Sequence, residues 1–206
     1  MTRDREATRA RILAAAEQLL TRQGVGAVRI NAVATAAAVD KVLIYRYFGG
    51  RAQLLRALAR ERRLWPDTDA VRAAADEAGN DAPSLAQDLT AMLLDAARAL
   101  RASPLARRAA AWSITESDDF AREIAAARGE HARAIAGALR DRHRLPPFVD
   151  LDAIVAVLAA AMTHLALHTA PGASFAGLEP RRDEDWHRAE RALTNIVHAL
   201  LGPVDQ

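Results

Sequence analysis

A chain of 206 residues, 51% apolar and 26% charged, has the balance of an ordinary globular protein with one or two domains around a sizeable core. It contains no cysteine, which excludes disulfides and cysteine metal centres. No apolar leader segment precedes Arg3, and the longest apolar run, Ala153 to Met162, is too short to span a bilayer, so a cytoplasmic location without membrane contact is expected. The net charge of +2 conceals an asymmetry: residues 1–63 carry 13 Lys and Arg against 5 Asp and Glu, whereas residues 64–206 carry 15 against 21. A basic third beside an acidic remainder implies that one segment meets a polyanion and the other does not.

In chain order nearly everything reads as helix, so the expected class is all-α. Ile12, Ala15, Ala16, Leu19 and Leu20 share one helical face, and Gly24 suits the end of that helix. A short helix over 30–37 buries Ile30, Val33, Ala34 and Ala37. A three-residue turn follows, and Asp40 caps a helix over 41–48 that the Gly49-Gly50 pair ends. A fourth helix from about 51 turns Leu54, Leu55 and Leu58 inward and is broken near Pro66. Beyond it, helices are expected over 67–79, from Ser84 to Ala102, from Pro104 to Ser117 and from Asp118 or Asp119 to Arg144. Pro146-Pro147 breaks the chain before a very apolar helix from Asp150 or Asp152 to Thr169. A loop over 171–182 leads to a last helix over 183–201. The expected division is a helix-turn-helix domain over 1–50 and a larger helical domain over 51–206.

The chemistry gathers on the segment 41–48. Lys41 is the chain's one lysine, and Tyr45 and Tyr47 are its two tyrosines. Ile44 and Phe48 lie four apart and face the core, which turns Lys41, Val42, Tyr45 and Arg46 outward. Short helix, tight turn, short helix is the pattern that lays a second helix in the major groove of DNA, with its first residues at the base edges. There Lys41 can donate to guanine, Val42 and Leu43 can touch a thymine methyl, and Tyr45, Arg46, Tyr47 and Arg51 can hold phosphates. Arg3, Arg5, Arg9 and Arg11 form a basic arm suited to the DNA backbone or minor groove.

Over residues 10–60 the chain resembles the TetR-type bacterial transcriptional regulators. The resemblance rests on Ile12, Ala15-Ala16, Leu19-Leu20, Gly24, Val33-Ala34, Ala38-Val39-Asp40, Ile44-Tyr45-Arg46-Tyr47-Phe48, Gly49-Gly50-Arg51 and Leu54-Leu55. It implies an N-terminal three-helix DNA-binding domain and a helical C-terminal domain that binds a small-molecule effector and dimerises. It also implies Arg29 at a phosphate, Asn31 at a base edge and Arg51 at the family's phosphate-binding lysine position. The chain departs from the family pattern where Ala38 replaces the turn glycine, where Val42 and Leu43 replace Gly and Thr, and where Val28-Arg29 replaces a threonine-rich entry.

In the larger domain, Ile154, Leu158, Met162 and Leu165 form one apolar stripe. Leu193, Ile196, Val197 and Leu200 form another. Both are expected at a homodimer interface whose two-fold symmetry matches a palindromic operator. Met92, Trp112, Phe120, His131, His164 and His168 are candidates for an effector pocket. His164 and His168 have a chelating spacing but no third ligand, so no metal is expected. No nucleophile motif or phosphate loop appears, so neither enzymatic activity nor a cofactor is expected. These features predict a dimeric repressor released from its operator by a small-molecule effector. A regulator or activator that needs no effector would use the same DNA-binding half.

Overall fold

The computed structural model describes residues 2–62, 64, 83–145, 149–168 and 170–202. Side chains are described from Asp4 onward. The expected helix over 67–79 and the breaks at Pro66 and Pro146-Pro147 lie outside these residues. Among those described there are nine α-helices and no strand beyond one isolated bridge between Phe175 and Leu178. The helices are α1 (Thr2–Gln23), α2 (Ile30–Ala37), α3 (Lys41–Phe48), α4 (Arg51–Glu61), α5 (Leu85–Ala102), α6 (Pro104–Thr115), α7 (Asp119–Arg142), α8 (Leu151–Leu167) and α9 (Asp183–Leu201). A 3₁₀ turn, Val25–Ala27, joins α1 to α2.

Local chemistry sets the ends of these helices. Gly24 takes φ 90° after α1, and its N–H donates to the Leu20 carbonyl. Ser84 and Gln87 cap α5 reciprocally, each side chain accepting from the other's backbone N–H. Ser103 accepts from Ala106 N–H, with Pro104 in the first turn of α6. Asp118 and Asp150 accept from the N–H groups of Ala121 and Ala153, three residues on.

Two compact units emerge, one of residues 1–65 with 103–127 and one of residues 66–102 with 128–206. The first unit therefore does not stop at residue 50. Its α4 packs on α1 and α3, α6 packs on α1, and Leu105, Ala109, Phe120 and Ile124 share one core with Ile12, Leu20, Val33, Ile44, Leu54 and Leu58. In the second unit α5 is the common partner of α8 and α9. Leu89, Leu93 and Ala97 of α5 are buried, as are Leu151, Val155, Leu158 and Met162 of α8 and Trp186, Leu193 and Val197 of α9.

Two polar ties lie within this second unit. Glu190 of α9 is buried and accepts from the Arg98 guanidinium through both oxygens, at 2.8 and 3.1 Å, and from Trp186 Nε1–H at 2.7 Å. The Arg98 hydrogen bonds, helped by Trp186, hold its carboxyl below the usual range against the opposing effect of burial. Asp88 of α5, also buried, accepts from His143 Nε2 at 2.8 Å and pairs with Arg142. Glu190→Ala would strand the Trp186 N–H in the interior and is expected to cost about 1–3 kcal/mol. A lowered denaturant midpoint with an unchanged m value is the measurement; an unchanged midpoint would show the tie to be dispensable.

Candidate nucleic-acid interface

The structure builds the expected site from two short helices and the turn between them. Asp40 caps α3, its Oδ1 accepting from Val42 N–H at 2.8 Å. Gly49 ends the helix at φ 84°, the left-handed region that favours glycine, and its N–H donates to the Tyr45 carbonyl. Ile44 and Phe48 are buried. Lys41, Val42, Tyr45 and Arg46 are consequently exposed, with Val42 presenting 63% of its surface. Leu43 and Tyr47 lie on the flanks, half-buried. A valine so exposed at the start of a helix has no packing role.

In α2, Val33, Ala34 and Ala37 face the core and leave Asn31 and Thr35 together on the outer side. Arg29, the residue before α2, is exposed. Thr35, which the sequence reading did not single out, lies one turn after Asn31 on this exposed side. Its hydroxyl donates to the Asn31 carbonyl at 3.0 Å. The turn residue Ala38 sits in the left-handed region, at φ 52° and ψ 51°. Its N–H donates to the Thr35 carbonyl, and Val39 N–H donates to that of Ala34. The turn keeps glycine's geometry while carrying a methyl group.

Two expected contacts are placed differently. The basic arm is helical from Thr2, as the start of α1. Arg5 lies 5.8 Å from the Tyr47 ring centre and Arg9 lies 5.3 Å from that of Phe48, while Arg9 also pairs with Glu61. Arg51 is half-buried and turned inward. Its Nε–H donates to the Val28 carbonyl at 2.8 Å and its Nη2–H to that of Val25 at 3.1 Å.

The segment 12–58 matches the family model described as bacterial regulatory proteins, tetR family. A curated repressor aligns on the same third of the chain: the HTH-type transcriptional repressor SCO4008 of Streptomyces coelicolor is 39% identical over 62 residues. The alignment covers 30% of this chain and about a third, 32%, of that protein's length. Over residues 12–58 the chain is therefore similar to the DNA-binding segment of the tetR family. Solved structures share the fold over nearly all of the chain. NalD of Pseudomonas aeruginosa, described as the secondary repressor of a multidrug efflux pump, superposes with a TM-score of 0.66 at 21% identity, covering 99% of both chains. The regulator FadR of Bacillus subtilis, solved with stearoyl-CoA, gives 0.64 at 15% identity, covering 95% of this chain and 99% of its own.

The six residues expected at an effector pocket are divided between the two units. Trp112 and Phe120 belong to the first unit. Phe120 fills its core, and Trp112 packs against that core and donates through Nε1 to Asp118 at 3.2 Å. Met92, His131, His164 and His168 belong to the second unit. His131 is buried with Nδ1 lacking a hydrogen-bond partner, and burial pushes its imidazole toward the neutral form. The rings of His164 and His168 lie 4.4 Å apart between centres with their planes tilted by 55°, and the exposed Phe175 stands edge-on to His164. They form a surface cluster. Among the described residues no group of three or more potential ligands is arranged to hold a metal. No helix among them is long and apolar enough to cross a membrane. A cleft of about 560 Å³ lies in the first unit between α1 and the end of α2, with Arg11, Glu17, Gln18 and Thr21 on its rim.

The dimer stripes also divide. Leu158, Met162, Leu193 and Val197 are buried in the second unit's own core, where no partner can reach them, and Ile154 and Leu165 are half-buried. Ile196 and Leu200 remain exposed.

An L-residue in the left-handed region costs roughly 1–2 kcal/mol, part of which glycine returns through its greater unfolded-state freedom. Ala38→Gly is therefore expected to raise stability by up to about 1 kcal/mol. Thermal unfolding of the two proteins checks this, and a lower melting temperature for the glycine variant would contradict it.

Proposed function

We propose that the chain is a dimeric, sequence-specific DNA-binding repressor that leaves its operator when a small-molecule effector binds. The observation that carries the reading is the outward face of α3. It is a lone lysine, an exposed valine, a tyrosine and an arginine, held on an eight-residue helix whose opposite side is fixed in the core. An α-helix of this presentation fits the major groove of B-DNA. Lys41, Val42 and Leu43, with Asn31 from α2, read base edges. Arg29, Tyr45, Arg46 and Tyr47 hold phosphates and set the register. The repressor function of the Streptomyces relative and of NalD supports the direction of regulation. The stearoyl-CoA complex of FadR supports a small-molecule effector. The protein performs no catalysis and works where the chromosome is, in the cytoplasm.

Dimerisation uses the outer faces of α8 and α9. On α8, Ala153, Ala156, Val157, Ala160, Ala161 and His164 are exposed, and Asp152 in the first turn is the acidic residue beside them. Small side chains let a second helix approach closely, while Val157, Ile196 and Leu200 supply apolar area. Two such subunits related by a two-fold axis present two copies of α3 to a palindromic site, about 34–36 Å apart.

Operator sequences selected from random duplex DNA should bind tightly at low salt and weaken by about 10³–10⁵ between 50 and 200 mM salt if six to ten phosphates are neutralised. Lys41→Ala and Asn31→Ala should change the selected sequence by relaxing single positions. No binding at low salt would overturn the proposal. Val157→Arg places a charge 67% exposed on the apolar face and should shift sedimentation from dimer to monomer without lowering helix content. A dimer unaffected by it would move the interface elsewhere.

A further inference from the structure

We infer that Arg51 is a positioning residue, which fixes the two DNA-facing helices to the start of α7 through Asp118 and does not itself hold a phosphate. The inference rests on the DNA-binding reading above and deepens it. All three guanidinium nitrogens of Arg51 are directed into the first unit. Nε–H donates to the Val28 carbonyl at 2.8 Å, Nη2–H donates to the Val25 carbonyl at 3.1 Å, and Nη1 faces Asp118 Oδ2 at 3.8 Å. Val25 and Val28 are buried; without Arg51 the Val28 carbonyl would have to find another donor away from water, while that of Val25 would keep only the N–H of Val28.

These carbonyls are the last fixed points before α2. Arg29 follows directly, its N–H bonded to the Ala27 carbonyl, and Asn31 is the second residue of the helix. On its other side Arg51 opens α4, immediately after the Gly49-Gly50 pair that ends α3. One side chain thus joins the entrance of α2 to the exit of α3.

Asp118 anchors the far end. Its Oδ1 accepts from Ala121 N–H at 2.8 Å, capping α7, and from Trp112 Nε1–H at 3.2 Å. Burial pushes its carboxyl up, but the N–H groups of Ala121, Trp112 and Phe120 and the charge of Arg51 outweigh that and keep it below its usual value. The carboxylate is therefore charged at any pH at which DNA binding is measured.

The planar fork of arginine reaches two carbonyls and a carboxylate at once, whereas a lysine ammonium is a point charge on a flexible stem. The two roles therefore separate on Arg51→Lys. A phosphate contact would survive it; the fork would not. The experiment measures anisotropy of a labelled selected operator, and of a random duplex of equal length, against salt. It compares wild type with Arg51→Lys, Arg51→Met and Asp118→Asn. The expected result is a roughly tenfold or greater loss of preference for operator over random duplex in both Arg51 variants, with a smaller loss in Asp118→Asn. Random-duplex affinity and the slope of log affinity on log salt should match wild type in all of them. Wild-type operator affinity in Arg51→Lys, together with a slope reduced by about one per subunit in Arg51→Met, would identify a phosphate contact and overturn the inference alone. Should Arg51→Met fail to fold by circular dichroism, Arg51→Lys and Asp118→Asn decide the matter. A wild type that binds neither duplex at low salt would overturn the DNA-binding reading and this inference with it.

Discussion

Ile44 and Phe48 decide how α3 is presented. Each is buried in the first unit, and burying such a side chain contributes about 1.5–3 kcal/mol. Together they exceed any preference a helix this short has on its own, since isolated helices below about 12–15 residues are marginal in water. With those two positions seated, the angular order of the helix leaves no choice for the remainder. Lys41, Val42, Tyr45 and Arg46 must point away from the core, and Leu43 and Tyr47 must lie along its edges. Asp40 and Gly49 then limit the helix to the length that shows only this face. Arg5 and Arg9, near the start of α1, lie against the rings of Tyr47 and Phe48, and Arg9 also pairs with Glu61.

What was legible in the sequence was mostly local. The bounds of α2, α3 and α9 coincide with the expected ones because caps and breakers act within a few residues: Asp40 on Val42, Gly49 on Tyr45, Gly202 after Leu201. The outward face of α3 was legible for the same reason, since period and polarity both lie inside eight residues. Arg51 was not. Its partners are the carbonyls of Val25 and Val28 and the carboxylate of Asp118, far along the chain, and nothing near Arg51 announces them. The same holds for Trp112 and Phe120: nothing near them in the sequence shows that they pack in the first unit, apart from Met92 and His131. The stripe on α8 divides for a different reason. When a helix is apolar nearly all round, the largest side chains fill the subunit's own interior and the small ones are left outside. Leu158 and Met162 went inward, and Ala156, Val157 and Ala160 stayed on the surface.

The second unit shows how alanine-rich helices are held in register. Alanine offers little relief for neighbouring side chains to interlock with, so a helix such as α8 can slide along its partner at low cost. Directed polar contacts restrict that freedom. Asp88 with His143 and Arg142 ties the first turn of α5 to the end of α7, and Glu190 with Arg98 ties the later turns of α5 to α9. Buried charges of this kind contribute less to net stability than their number suggests, because desolvation offsets attraction. They are satisfied only in the alignment in which both partners meet. Arg101 adds to the second tie by lying 5.0 Å from the Trp186 ring centre and donating to the carbonyls of Pro180 and Arg181 just before α9.

Arginine supplies every other basic carbon-chain side group in the molecule, which leaves Lys41 chemically distinct. Its amine stands exposed in the first turn of α3. Guanidinium groups do not react with the esters and aldehydes that modify amines near neutral pH, so apart from the chain's own α-amino group such reagents meet one address in the folded protein. A fluorophore or cross-linker attached there would sit on the very face presented outward by Ile44 and Phe48. The molecule thus carries a built-in point of covalent attachment at its recognition helix, without any substitution.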